Sequence, residues 1–217
     1  MSERRLTIET PKGPVSAAFT GKQGGPLLVL AHGAGNDMDA PLLVAFAEGL
    51  AAAGVACLRF NFLYKEQGRR APDREPALRD AWGAAFEEGR RRGGPVWAGG
   101  KSLGGRIASM MVADGTLDAA GLVFVGYPLH PPGKPERARD GHLDDVEVPM
   151  LFVQGTADPF ARWELLKATV ERVGARATLH PVEGGDHSFR ARGRPKDDEG
   201  TGSALGEAAA RFILEHR

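Results

Sequence analysis

Short apolar runs alternate with helix-length segments along the whole chain. Residues 6–8 and 15–19 flank a Pro-Lys-Gly-Pro turn at positions 11–14, which predicts an antiparallel hairpin. Further runs follow at 27–31, 55–60, 96–98, 122–125, 150–154 and 177–181. Most are rich in Val, Leu and Phe without polar alternation, the pattern of strands covered on both faces. Helical periods fall between them at 41–53, 74–92, 103–113, 162–173 and 203–216. A hairpin followed by six strands joined by helices predicts a mostly parallel α/β sheet with helices on both faces. In such sheets ligands and chemistry gather at the carboxyl ends of the strands. No linker or shift of composition divides the chain, so residues 1–217 are expected to form a single domain.

Composition narrows the function classes. The 217 residues carry 28 Lys+Arg against 28 Asp+Glu, a formal net charge of zero, so no global field attracts nucleic acid or an anionic membrane. With 42% apolar and 26% charged residues the chain is of globular type. No signal peptide is visible and no apolar run approaches a membrane span, so a soluble, cytoplasmic protein is expected, as monomer or homodimer. The single Cys57 lies inside a strand and fits a reducing compartment. Mixed-sign stretches at 65–74 and 190–199 are expected to be solvated loops. The Pro-rich stretch 128–148 is too short for a cap domain and is expected to act as a lid.

The 30 glycines are about twice the usual ~7% share. Many follow strands: Gly33 and Gly35, then Gly99, Gly100, Gly104 and Gly105, then Gly126, Gly155, and Gly184 with Gly185. The cluster around position 100 contains Gly-x-Ser-x-Gly as Gly100, Ser102 and Gly104, between a strand and the helix at 103–113. A nucleophilic hydroxyl must stand exposed at a strand end. The chain therefore turns sharply there, and small neighbours let strand and helix approach. That turn also aims the Leu103 N–H at an oxyanion forming beside Ser102. A phosphate-binding loop would need glycine where Pro95 stands, so it fails on spacing.

Of the six histidines, His187 lies in a loop just after the last strand, where a general base must sit to reach Ser102. Asp158 follows the preceding strand and is the candidate orienting acid. Asp186 is a rival, but its side chain should diverge from the adjacent imidazole. Asp158 before Pro159 also reads as a helix N-cap, a role that can coexist with orienting His187. The order Ser102, Asp158, His187 is the one expected of this nucleophile turn. The loop His32-Gly33-Ala34-Gly35 offers a second oxyanion donor, Ala34 N–H, while His32 is expected to be structural. A dinucleotide fingerprint there is incomplete, because its third glycine would fall at Met38. No histidine pair stands at i, i+4 and there is one cysteine, so neither metal nor other cofactor is expected.

These landmarks resemble the α/β-hydrolases, and in particular their small, uncapped dienelactone-hydrolase-like branch. Residues 32–37, 100–105, 126–135 and 185–189 are similar to a group that includes testis-expressed proteins and a subunit of the non-specific-lethal chromatin complex. The resemblance implies an eight-stranded sheet with Ser102 as nucleophile, His187 as base and Asp158 as orienter. It names no substrate, and Ser102 stands where dienelactone hydrolases carry cysteine. The expected function is a serine hydrolase of small carboxylic esters or thioesters, acting through an acyl-enzyme. The alternative is the same fold kept as an interaction module with little or no turnover. With a reference histidine pKa near 6.5, activity should fall below roughly pH 6–7. Without a cap, the pocket is expected to be shallow and walled by loops at Ala34, 62–64 and 127–132. Tyr127 and His130 are candidates for substrate contact or for turn and packing roles.

Overall fold

The computed structural model describes residues 3–216. Eight strands form one sheet: β1 (Arg4–Ile8), β2 (Val15–Thr20), β3 (Leu27–Ala31), β4 (Ala56–Phe60), β5 (Val96–Lys101), β6 (Leu122–Val125), β7 (Met150–Gly155) and β8 (Ala177–Val182). Their spatial order is β1-β2-β4-β3-β5-β6-β7-β8. The leading hairpin pairs antiparallel and β2 joins β4 antiparallel, after which every pairing is parallel. This is the α/β-hydrolase fold, with helices on both faces.

Helices α1 (Pro41–Ala52) and α6 (Asp198–Glu215) pack together on one face. On the other lie α3 (Glu75–Arg90), α4 (Leu103–Ala113) and α5 (Trp163–Val173), with the short α2 (Leu63–Glu66) after β4. Strand β3 explains why no polar alternation marks these strands. Leu27, Val29 and Ala31 enter the core beneath α3 and α4, while Leu28 and Leu30 enter the core beneath α1 and α6. Both faces need apolar side chains. Edge strands β1 and β8 are the exceptions, with most residues exposed or only partly covered.

Three expectations change. Helix α6 starts at Asp198 rather than 203. The Asp197 carboxylate caps it by accepting the Gly200 N–H at 2.7 Å, and the nearby glycines weaken the helical pattern. Strand β5 continues through Gly99 and Gly100 to Lys101. The stretch 128–148 is no lid: it is strapped against α4 and α5. Leu129, Leu143 and Val146 are buried in the core, and His142 bonds Ser109 at 2.8 Å. Asp140 accepts from Thr169 and Arg172, both at 2.7 Å. Burial and ion pairing together hold the segment down on the helices. The 65–74 loop is a surface loop as expected, closed by an Arg69–Asp73 pair at 2.5 Å.

Candidate active site

Ser102 closes β5 and caps α4, with φ 50° and ψ −113°. Such a backbone costs a non-glycine residue about 1–3 kcal/mol and must be over-determined by its surroundings. Two bonds do so: Ser102 N–H donates to Val125 O at 3.2 Å, and Arg106 N–H donates to Ser102 O at 3.0 Å. The flanking glycines are required by space. A Cβ on Gly100 would lie 2.5 Å from Gly105 N, and one on Gly104 would lie 2.7 Å from the Ala31 and His32 carbonyl oxygens. The strand end and the helix therefore meet backbone to backbone, pushing the Ser102 side chain outward.

His187 and Asp158 come from loops after β8 and β7. His187 Nδ1 donates to Asp158 Oδ2 at 2.7 Å, and the Ser102 hydroxyl donates to His187 Nε2 at 2.9 Å. This tautomer follows from the bonding pattern: a carboxylate cannot donate, so the proton sits on Nδ1 and the Nε2 lone pair faces Ser102. The Asp158 side chain is fully buried, yet well supplied with donors. Oδ2 also accepts from Gln154 Nε2 at 2.6 Å, and Oδ1 accepts from Phe160 N–H at 2.8 Å. The turn role and the pairing with His187 coexist in one side chain. Asp186 is not the partner acid, because its Oδ1 is taken by the Ser188 and Arg190 N–H groups at 2.7 and 3.0 Å. Those bonds, and Phe189 buried with φ 62°, fold the loop so that His187 projects toward Ser102. The Phe160 ring lies 4.3 Å from the imidazole and helps fix its plane.

Leu103 is the first residue of α4, so its N–H belongs to the unpaired turn at the helix's positive pole. The loop after β3 passes directly against Ser102, since a Cβ on Gly33 would lie 3.4 Å from Ser102 Cβ. Ala34 follows in that loop. His32 has a structural role, as expected: Nδ1–H donates to Gly33 O at 2.8 Å and Nε2 accepts the Phe62 N–H at 3.1 Å. Burial pushes its pKa down to about 4, so the ring is neutral near pH 7.

The expected pocket walls are corrected. Phe62, Tyr64 and Tyr127 are buried; the first two pack their rings around His32, and Tyr127 packs on Phe124. Both nitrogens of His130 are occupied, Nδ1 on Pro131 O at 2.9 Å and Nε2 on Arg162 N–H at 2.8 Å. Tyr127 and His130 thus take packing and turn roles. Two polar residues at the site were missed from sequence. Gln154 is fully buried and links Asp158 to the Tyr127 N–H, which it accepts at 2.7 Å. Lys101, beside Ser102, is buried as well. The available signal was the same for both: a polar residue at or next to the end of an otherwise apolar or glycine strand.

No helix among the described residues is long and apolar enough to cross a membrane. The structure is similar to an alpha-beta serine hydrolase homologue from Coxiella burnetii, at 21% identity over 98% of both chains and a TM-score of 0.74. It is similar to a lidless serine hydrolase from Xanthomonas campestris, at 21% identity, 98% and 95% coverage and a TM-score of 0.75. A dienelactone hydrolase from Anabaena variabilis matches at 18% identity, 99% and 97% coverage and a TM-score of 0.77. These likenesses support the fold, and the sequence model of the alpha/beta hydrolase domain matches residues 24–214. A single domain model spanning most of the chain, laid over this sheet order and nucleophile turn, places the protein in the α/β-hydrolase family.

Proposed function

We propose that the protein is a serine hydrolase of small carboxylic esters or thioesters, with Ser102 as nucleophile, His187 as general base and Asp158 as orienter. The observation that carries this reading is the unbroken relay from Ser102 Oγ through His187 to Asp158, at 2.9 and 2.7 Å. Ser102 Oγ attacks the acyl carbon as its proton passes to His187 Nε2. The carbonyl oxygen becomes an oxyanion, held by the Leu103 and Ala34 N–H groups. Collapse expels the alkoxide or thiolate, which takes the proton from Nε2. Water then attacks the acyl-enzyme, gives one proton to Nε2, and the acid leaves as Ser102 recovers that proton. The Asp158 carboxylate balances the transient imidazolium.

Strain at Ser102 favours this over a pure interaction module, which would gain nothing from holding a serine at φ 50°. The test is labelling by a fluorophosphonate probe together with hydrolysis of p-nitrophenyl acetate, with Ser102→Ala as control. Labelling and turnover in the wild type, absent in the variant, are expected. A wild type that neither labels nor hydrolyses refutes the proposal.

A further inference from the structure

A cavity of about 170 Å³ opens between the first turn of α1, the first turn of α6 and the His187 loop. Three of the backbone segments that build the candidate active site also send a neighbour to this cavity: Lys101 beside Ser102, Ser188 beside His187, and Asn36 two residues beyond Ala34. Lys101 is only 6% exposed. Among the described residues its ammonium has no hydrogen-bond acceptor and no carboxylate at ion-pair distance; Nζ lies beside Gly126 and 5.7 Å from the centre of the Phe189 ring. A buried charge is normally paired, because leaving it unpaired costs several kcal/mol. Desolvation brings the Lys101 pKa down to about 8, against the pull of Asp158 and Asp186, which still leaves it mainly protonated at pH 7.

The rest of the cavity wall is short of negative charge. Arg190 and Lys196 share the single carboxylate of Asp198, at 3.9 and 2.8 Å. With Lys101, three cations face one anion, in a chain whose formal net charge is zero. Helix α1 contributes its positive pole in the same direction, with no capping side chain and no acidic residue in its first turn. The volume holds about five water-sized groups, enough for a small oxyanion.

We propose that this cavity is an anion subsite taking a carboxylate or phosphate group, with Lys101, Arg190 and Lys196 as its cationic ligands. Ser188 Oγ–H and the Asn36 side-chain amide supply neutral donors. Anion binding itself does not depend on the hydrolase reading. That the anion is part of the ester substrate does rest on that reading.

The test titrates inorganic phosphate into the intact protein against sodium chloride of equal ionic strength, following thermal unfolding in the wild type and in Ser102→Ala. At tenfold over its Kd, phosphate should raise Tm by about 3–6 °C in both. The rise should vanish in Lys101→Met and in Arg190→Gln/Lys196→Gln. If the first variant fails to fold, the second, at exposed positions, carries the comparison. No rise in the wild type, or a rise that survives in the folded variants, overturns the subsite. The source of the anion is read from kcat/KM on mono-p-nitrophenyl succinate relative to p-nitrophenyl acetate. A drop of about tenfold or more in that ratio in Arg190→Gln/Lys196→Gln assigns the anion to the substrate. An unchanged ratio with phosphate still bound by the wild type assigns the site to a free anion. Phosphate binding by a protein that hydrolyses neither ester leaves the subsite standing and removes the hydrolase reading.

Discussion

Gln154→Leu separates support of Asp158 from the presence of Asp158. Gln154 is fully buried, its amide donating to Asp158 Oδ2 at 2.6 Å and its carbonyl accepting the Tyr127 N–H at 2.7 Å. Leucine keeps roughly the volume and removes both bonds. Losing a hydrogen bond to a carboxylate costs about 1.5–3 kcal/mol, and stranding a buried N–H costs about 1–3 kcal/mol. Burying leucine in place of an amide returns part of this, leaving a net loss of about 2–4 kcal/mol. For a chain of this length that lowers Tm by about 5–15 °C. Urea unfolding should show a lower midpoint at unchanged slope, since the same surface is exposed. Asp158 keeps the Phe160 N–H and His187, so folded protein should still label with fluorophosphonate. Its kcat should fall about 10–100-fold, as the carboxylate loses a donor that fixes its orientation. A midpoint shift worth less than ~0.5 kcal/mol would refute the premise that this amide holds the loop.

Further substitutions probe other joints of the structure. Ser102→Gly and Ser102→Ala both lack the hydroxyl, but glycine accepts φ 50°; the glycine variant should be the more stable by about 1 kcal/mol in urea unfolding, and equal stabilities would show the turn to be unstrained. His32 is neutral when folded because burial lowers its pKa from 6.5 to about 4. Between those values the unfolded chain binds a proton that the folded chain does not, so stability falls as pH drops from 6.5 to 4, by about 3 kcal/mol in total. His32→Asn should flatten this acid limb, and an unchanged slope would exclude His32 as its source. A Cβ on Gly206 would lie 2.2 Å from Phe46 O across the α1–α6 contact, so Gly206→Ala should cost about 2–4 kcal/mol. A Cβ on Gly83 in α3 meets nothing within 4 Å, and Gly83→Ala should instead stabilise by about 0.5–1 kcal/mol. Calorimetry of the pair checks both signs.

The same physics decides what could be read without coordinates. Strands covered on both faces need unbroken apolar runs, so β3 to β7 stood out, and the turn at Ser102 excludes side chains on either side, so its glycines were visible. The first turn of α6 is hidden by the opposite cause: Gly200 and Gly202 weaken its helical signal, and Gly202 allows the close approach to α1. The loops at 62–64 and 127–132 read as pocket walls, yet whether a ring such as Phe62, Tyr64 or Tyr127 turns inward or outward depends on neighbours distant in sequence. Lys101 and Ser102 make the limit plainest. They are consecutive, and consecutive side chains at a strand end leave on opposite faces. Ser102 turns up toward His187, while Lys101 enters the α1–α6 side, where it lines one cavity with Arg190 and Lys196, from a segment about ninety residues later. A motif read along the chain treats Lys101 as the unspecified position of Gly-x-Ser-x-Gly. Only the sheet's pleat makes it part of the wall of a cavity that Arg190 and Lys196 also line.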